Sequence, residues 1–259
     1  MSWVSTQTRG AVRVMTLDNP GRKNAIPRGG WSELGAALAE FEASDDRALI
    51  VIGAGDDFCA GADLDPDMVS DEASVVDRRA RMKEIGAVAL RLHRLTKPTI
   101  AAVDGAAVGA GLNLALGCDV VIATEGARFA EIFVRRGLTL DFGGSWLLPR
   151  IVGLQRAKEM ALSGRIIGAG EALALGLCIE LTPADGLLDR ALEIAESFVA
   201  QAPLAQMFAK QGIDHAWDHS FADALDLEGQ SQAILFTTDD VTEGVNAFLE
   251  KRTPRFRGR

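Results

Sequence analysis

Two glycine-bearing turns, each placed just after a short apolar run, constrain this chain more than any other feature. Phe58-Cys59-Ala60-Gly61-Ala62-Asp63-Leu64 follows Ala48–Ile52 (ALIVI), and Val108-Gly109-Ala110-Gly111-Leu112-Asn113 follows Thr99–Val103 (TIAAV). Apolar runs without alternation read as strands buried on both faces. Small residues after such strands let a ligand or another segment approach the backbone and leave N–H groups pointing outward. The second turn also opens a small-residue helix, whose first N–H groups have no intrahelical partner. Two such donors converging on one point would stabilise an oxyanion such as an enolate. Equally, the glycines could serve only close helix–strand packing, and pattern alone leaves both readings open.

The rest of the chain extends the same alternation. Ala11–Leu17 alternates and ends in the turn sequence DNPGRKNA. Trp31, Leu34, Leu38 and Phe41 mark one face of a helix, and Ser74–Leu95 is a second, longer helical stretch. Val120–Ala123 reads as a further strand, and Cys178–Leu181 as a short one. After Gly143 the pattern is helical, near Ser145–Ile151, Ala157–Leu162, Gly170–Leu175, Leu187–Ala200, Leu204–Trp217, Ser220–Phe236 and Thr238–Phe248. The expectation is an α/β protein with parallel pairing, closed by a helical C-terminal part. No sequence repeat or linker interrupts it.

Composition excludes several functions. The 259 residues carry 27 Lys plus Arg against 36 Asp plus Glu, a formal net charge of −9. That balance argues against a nucleic-acid partner. No apolar run is long enough to span a bilayer, and Met1–Arg13 lacks a secretory h-region. Cys59, Cys118 and Cys178 are few and widely spaced, which fits a reducing, cytoplasmic setting and no disulfide or zinc framework.

Competing motifs fail on inspection. The chain has no Lys-Ser or Lys-Thr to complete a P-loop, and Asn113 stands where a dinucleotide fingerprint needs its third glycine. His215 and His219 are spaced for one helical face, but Ala216 occupies the place of a metalloprotease glutamate. His93 reads as a surface or capping residue, and Ser145 lacks a Gly-x-Ser-x-Gly frame. That leaves Asp141, set among apolar residues in Gly137-Leu138-Thr139-Leu140-Asp141-Phe142-Gly143-Gly144-Ser145-Trp146. It is either a helix N-cap or a desolvated carboxylate fit for moving protons.

In this order and spacing the motifs resemble the crotonase, or enoyl-CoA hydratase/isomerase, family. The likeness runs from Leu17-Asp18-Asn19-Pro20 and Lys23-Asn24-Ala25 through both glycine turns, Lys97-Pro98, Gly117-Cys118-Asp119, Gly143-Gly144 and Pro149-Arg150 to the tail Phe248–Phe256. The resemblance implies a spiral of ββα units over residues 1–200. It also implies a helical region over 201–259 that serves assembly and CoA cover, in a homotrimer or a dimer of trimers. It implies an acyl-CoA thioester as substrate, with no cofactor beyond the coenzyme A that the substrate carries. The carbonyl oxygen would sit on the backbone N–H groups of Ala62 and Ala110. CoA would lie near Arg22, Lys23 and Ala25, cradled by Ala60, Gly61, Ala62, Asp63 and Leu64, with Phe248 and Lys251 reaching a neighbouring subunit's CoA. Residues 65–77 are expected to line the acyl pocket.

Departures from the family pattern narrow the reaction. The two glutamates of a hydratase are replaced by Asn113 and Phe133. Glu131, two residues before Phe133, is expected on the opposite side of a helix. Asp141 matches the aspartate of isomerase branches, and its surroundings are most similar to the ring-epoxide isomerases of phenylacetate breakdown. The expected activity is therefore a double-bond shift in an unsaturated or ring-derived acyl-CoA, with Asp141 as the single acid/base and Asn113 beside it. Hydration with unusual water activation helped by Asn113, and acyl-CoA binding without turnover, are the alternatives.

Overall fold

The computed structural model describes residues 2–64 and 73–259. Part of the stretch expected to line the acyl pocket, residues 65–72, lies outside them. The N-terminal hairpin pairs β1 (Val4–Arg9) with β2 (Val12–Leu17) antiparallel, turning at Gly10 with φ +62°. From β2 the sheet continues in parallel through β3 (Ala48–Gly53), β4 (Thr99–Val103), β6 (Val120–Thr124) and β9 (Glu180–Thr182). β1 is absent from the sequence pattern of strands because only Val4 of it is buried and it carries no apolar alternation. An edge strand held by backbone pairing needs no apolar alternation.

Residue parity explains the continuous apolar runs of β3 and β4. Leu49, Val51, Ala101 and Val103 point to one face and pack with Leu34, Leu38 and Phe41 of the helix Gly30–Ala43. Ala48, Ile50, Ile100 and Ala102 point to the other and pack with Leu187, Ala191, Ile194 and Ala195 of the helix Leu187–Val199. Both faces are therefore covered, as parallel sheets require. Lys97, just ahead of β4, donates to the carbonyls of Phe41 and Ser44 at 2.9 and 2.6 Å. It ties the open end of the first helix to the sheet.

A second layer of very short strands positions the functional loops. β5 (Ala106–Val108) pairs parallel with β7 (Arg128–Ala130), and β7 pairs antiparallel with β8 (Ile167–Gly168). Cys59 joins β5 through a parallel bridge to Ala107. Each turn of the chain thus runs from a long strand to a short second-layer piece and on to a helix: β3, Cys59, Val75–Arg94; β4, β5, Ala110–Leu116. This is a ββα spiral, repeated in structure though not in sequence. The short pieces carry too few residues for periodicity to show them.

The helical C-terminal part comprises Pro203–Asp214, Phe221–Leu235 and Asp239–Glu250. Its surface leaves Ile213, Trp217, Phe221, Phe236 and Phe248 exposed. Ser220 and Ser74 each begin a helix with a capping box, to Asp223 and Asp77 respectively.

Phe41 is fully buried between the first helix and the sheet. Phe41→Ala is expected to cost about 3 to 5 kcal/mol of stability, read as a lower denaturation midpoint in urea.

Candidate active site

Backbone pairing brings the two glycine turns into register. Cys59 N donates to Ala106 O at 2.8 Å, and Val108 N donates to Cys59 O at 3.0 Å. Gly111 packs so tightly on Cys59 that a Cβ there would overlap its carbonyl oxygen. Gly61, at φ +86°, faces the second turn, where a Cβ would stand 2.7 Å from Val108 O and 3.4 Å from Ala110 N. The turns are interlocked, and close packing is a real task of these glycines. It does not use up their amides. The bridge between Ile26 and Ala62 employs Ile26 N to Gly61 O and Asp63 N to Ile26 O, leaving the Ala62 N–H turned away from that partner. Ala110 is the first residue of its helix, so its N–H has no carbonyl one turn back. Phe133 closes one side, with its ring 3.6 Å from where a Gly109 Cβ would lie.

Asp141 lies just before a pair of left-handed residues, Phe142 at φ +47° and Gly143 at φ +85°. A bulky residue at positive φ is strained, and it is held here by burial of its ring against Trp31, 5.2 Å between centroids. The helix Gly144–Val152 has Gly143 as its N-cap and no side-chain cap, so Asp141 does not fill that role. Its main-chain oxygen accepts from Gly144 N at 2.9 Å and from Asn113 Nδ2 at 3.0 Å. Its side-chain Oδ1 is buried without a protein donor. Burial pushes the carboxyl up to about 6.

Glu131 departs from the expectation. It is not on a helix opposite Phe133; it is the residue after β7 and before the 3-10 turn Ile132–Arg136. There it is 0% exposed, and neither carboxyl oxygen meets a donor with hydrogen-bond geometry. Burial, followed by the negative charge of Asp141, raises it to about 8, while the Asn113 side chain beside it acts the other way. Asn113 is itself 0% exposed and its Oδ1 has no donor. Three side chains from three successive turns thus meet, and all offer acceptors. A strand of three residues, too short to show a period in the sequence, resets the side-chain direction at Glu131.

Of the residues expected at CoA, those of the first turn, Arg22, Lys23 and Ala25, lie against the segment Ala60–Leu64. Ala60 N donates to Lys23 O at 3.0 Å, and Asn24, at φ +54°, ties the turn to Ala54 O at 2.8 Å. Arg22 is ion-paired with Asp63, and Lys23 with Asp57 at 3.1 Å. Ala25 and Gly61 are buried, whereas Leu64 is exposed. Phe248 and Lys251 stand exposed at the end of the last helix, where Lys251 takes a left-handed conformation. His215 and His219 have rings 5.8 Å apart on the surface, and no group of three metal-binding side chains occurs among the described residues. A cavity of about 810 Å³ opens beyond Phe142, lined by Leu90, His93, Trp146 and Asp214 among others.

The sequence model described as Enoyl-CoA hydratase/isomerase matches residues 7–259. The chain is 36% identical over 261 residues to 1,2-epoxyphenylacetyl-CoA isomerase of Escherichia coli (strain K12), covering 100% of both. It is 38% identical over 259 residues to 2,3-dehydroadipyl-CoA hydratase of the same organism, covering 99% of this chain and 98% of that one. Among solved structures, enoyl-CoA hydratase from Bacillus anthracis superposes with a TM-score of 0.92 at 32% identity, covering 99% of this chain and 100% of that one.

The interlock makes a sharp prediction. Gly111→Ala is expected to cost more than about 1 to 3 kcal/mol, because the atom it must displace is backbone. Gly229→Ala, which meets nothing within 4 Å, is expected to be neutral or stabilising by about 0.5 to 1 kcal/mol. Equal urea midpoints for the two variants would show that the turns are not packed as described.

Proposed function

This chain belongs to the enoyl-CoA hydratase/isomerase family, and from that premise we propose that it shifts a double bond in an unsaturated or ring-derived acyl-CoA. The N–H groups of Ala62 and Ala110 hold the thioester oxygen. Asp141 takes a proton from the carbon next to the double bond, the electron pair spreads into a dienolate on the held oxygen, and Asp141 returns the same proton two carbons along. The sum is an isomerisation, with no cofactor consumed. The observation that carries this reading is Asp141 itself: uncapped, desolvated, and fixed through its main chain by Asn113 and the helix start. A carboxyl at about 6 is largely ionised at neutral pH, and its conjugate acid gives the proton back readily.

Asn113 holds the loop in this scheme. One N–H of its amide is spent on the Asp141 carbonyl and it is fully buried, which does not favour a hydration dependent on it. The relatives named above include both an isomerase and a hydratase, so substrate choice is the discriminating measurement. The reading expects turnover of a 3-enoyl-CoA to exceed hydration of crotonyl-CoA. Binding of CoA without turnover of either would support the non-catalytic alternative.

Arg22 and Lys23, with Lys251 from a neighbouring subunit, would meet the CoA phosphates, and the exposed apolar residues of the C-terminal helices would form the contact of a homotrimer or dimer of trimers. Arg22 and Lys23 are engaged by carboxylates in the free chain, so the phosphates must compete for them.

Two outcomes are expected. Asp141→Asn should lower kcat on a 3-enoyl-CoA by about 10² to 10⁴. It should also raise the melting temperature at pH 7. The sign follows from the raised carboxyl: its contribution to stability is present below about pH 4 and is lost as pH rises through about 6. A variant of undiminished kcat would remove Asp141 from the reaction. CoA affinity should weaken as salt is raised from 0.1 to 1 M, where the screening length falls from about 10 to about 3 Å; a constant Kd would count against the proposed cations.

A further inference from the structure

Asn113, Glu131 and Asp141 form a cluster of acceptors with no donor of their own between them except the Asn113 amide. One of its two N–H groups is committed to the Asp141 main-chain carbonyl at 3.0 Å, and its amide also lies against Glu131. Asn113 Oδ1, both oxygens of Glu131 and Asp141 Oδ1 are buried and unpartnered among the described residues. Leaving a buried acceptor unmet is costly, and leaving two buried carboxylates side by side is costlier still. Asn113 Oδ1 cannot be met by its own amide, and within the cluster the only side chain able to become a donor to it without leaving its place is a protonated carboxylic acid.

We propose that Glu131 is a positioning residue for Asp141: it is held as a neutral acid and donates its O–H to Asn113 Oδ1. That bond fixes which end of the Asn113 amide faces the loop, and so keeps Nδ2 on the Asp141 carbonyl. The pair of carboxyls then carries one negative charge, and that charge sits on Asp141. Glu131 is fully buried, whereas Asp141 is partly open, so Glu131 stands behind the acid/base and does not touch the substrate. Gly144 completes the arrangement, since any side chain there would overlap the Asn113 amide.

The groups around Glu131 favour this assignment on balance. Asn113 faces it from the helix Ala110–Leu116, and Asp141 faces it from the loop before Gly144–Val152. On its own turn, Arg135 and Arg136 are exposed, and no cation is among the groups that act on it. Desolvation and the Asp141 charge both favour its protonated form and together outweigh the Asn113 amide, which favours the ionised one. When Glu131 ionises, two negative charges and an unmet Asn113 oxygen share one buried space. The Asn113 amide then turns its N–H groups toward Glu131 and lets go of the Asp141 loop.

This inference rests on Asp141 being the acid/base, and the test separates the two. Difference infrared spectroscopy with labelled glutamate, read during a pH titration of the full chain, should show a carboxylic-acid C=O band at pH 7 that is absent in Glu131→Gln. The band should fade near pH 8 in the wild type and at lower pH in Asp141→Asn, where the like charge is gone. In turnover of a 3-enoyl-CoA, Glu131→Leu should lose about tenfold or more in kcat with KM within about twofold. Glu131→Gln keeps an N–H to give to Asn113 and should recover most of that loss. The wild-type kcat should fall above about pH 8, and Glu131→Gln should lose that limb. A Glu131 that ionises with ordinary carboxylates, a Gln variant no better than Leu, or an upper limb that survives in Gln would each overturn the proposal. If Asp141→Asn keeps full activity, the acid/base reading fails alone, and the infrared titration still decides whether Glu131 is neutral and coupled to Asp141.

Discussion

Backbone hydrogen bonds across a layer of very short strands hold the rest of the site in place. Cys59 N to Ala106 O, Val108 N to Cys59 O and Gly109 N to Ala130 O link three successive turns of the spiral, at 2.8, 3.0 and 2.8 Å. Each bond fixes the residue that follows its strand. The first places Ala60–Ala62, the second Gly109–Ala110, and the third Glu131. Groups separated by tens of residues in the chain therefore share one small volume, with glycine at 61 and 111 because only a missing Cβ permits that approach.

The same volume stores unfavourable electrostatics. Asp141 and Glu131 are desolvated without a cation to offset them, and Phe142 is held at positive φ beside them. The double-sided core of the parallel sheet outweighs these costs, with Phe41, Leu49, Ile50 and Ile100 fully buried. Strain and desolvation gathered at one point of an otherwise consistent fold single this cluster out as the candidate site. The two carboxyls are not equivalent. Asp141 is partly open and raised by burial, while Glu131 is closed and raised by burial and by the Asp141 charge, in keeping with the different tasks proposed for them.

The acidic balance of the chain takes on a local meaning. With a net charge of −9, the surface repels anions in general. Around the turn at Arg22 and Lys23 the cations are present but each is paired, with Asp63 and Asp57. An anionic ligand there would replace one partner by another, so local pairing and not net charge governs the contact.

Much of this was legible in the residues alone. Apolar runs at Ala48–Ile52 and Thr99–Val103, the glycines that follow them, and Asp141 in an apolar setting determined an α/β chain, the two turns and the principal acid/base candidate. Those features are local: strand burial, backbone freedom and the apolar neighbours of a carboxylate are written within a few residues of each other. The choice between N-cap and desolvated carboxylate for Asp141, the task of Asn113 and the place of Glu131 were not. Each depends on what lies across a strand pairing, and the strands concerned, β5 and β7, span three residues apiece. A segment that short has no period to read, yet one residue of register decides which face its successor occupies. Only the tertiary structure could turn Glu131 inward onto Asn113 and Asp141.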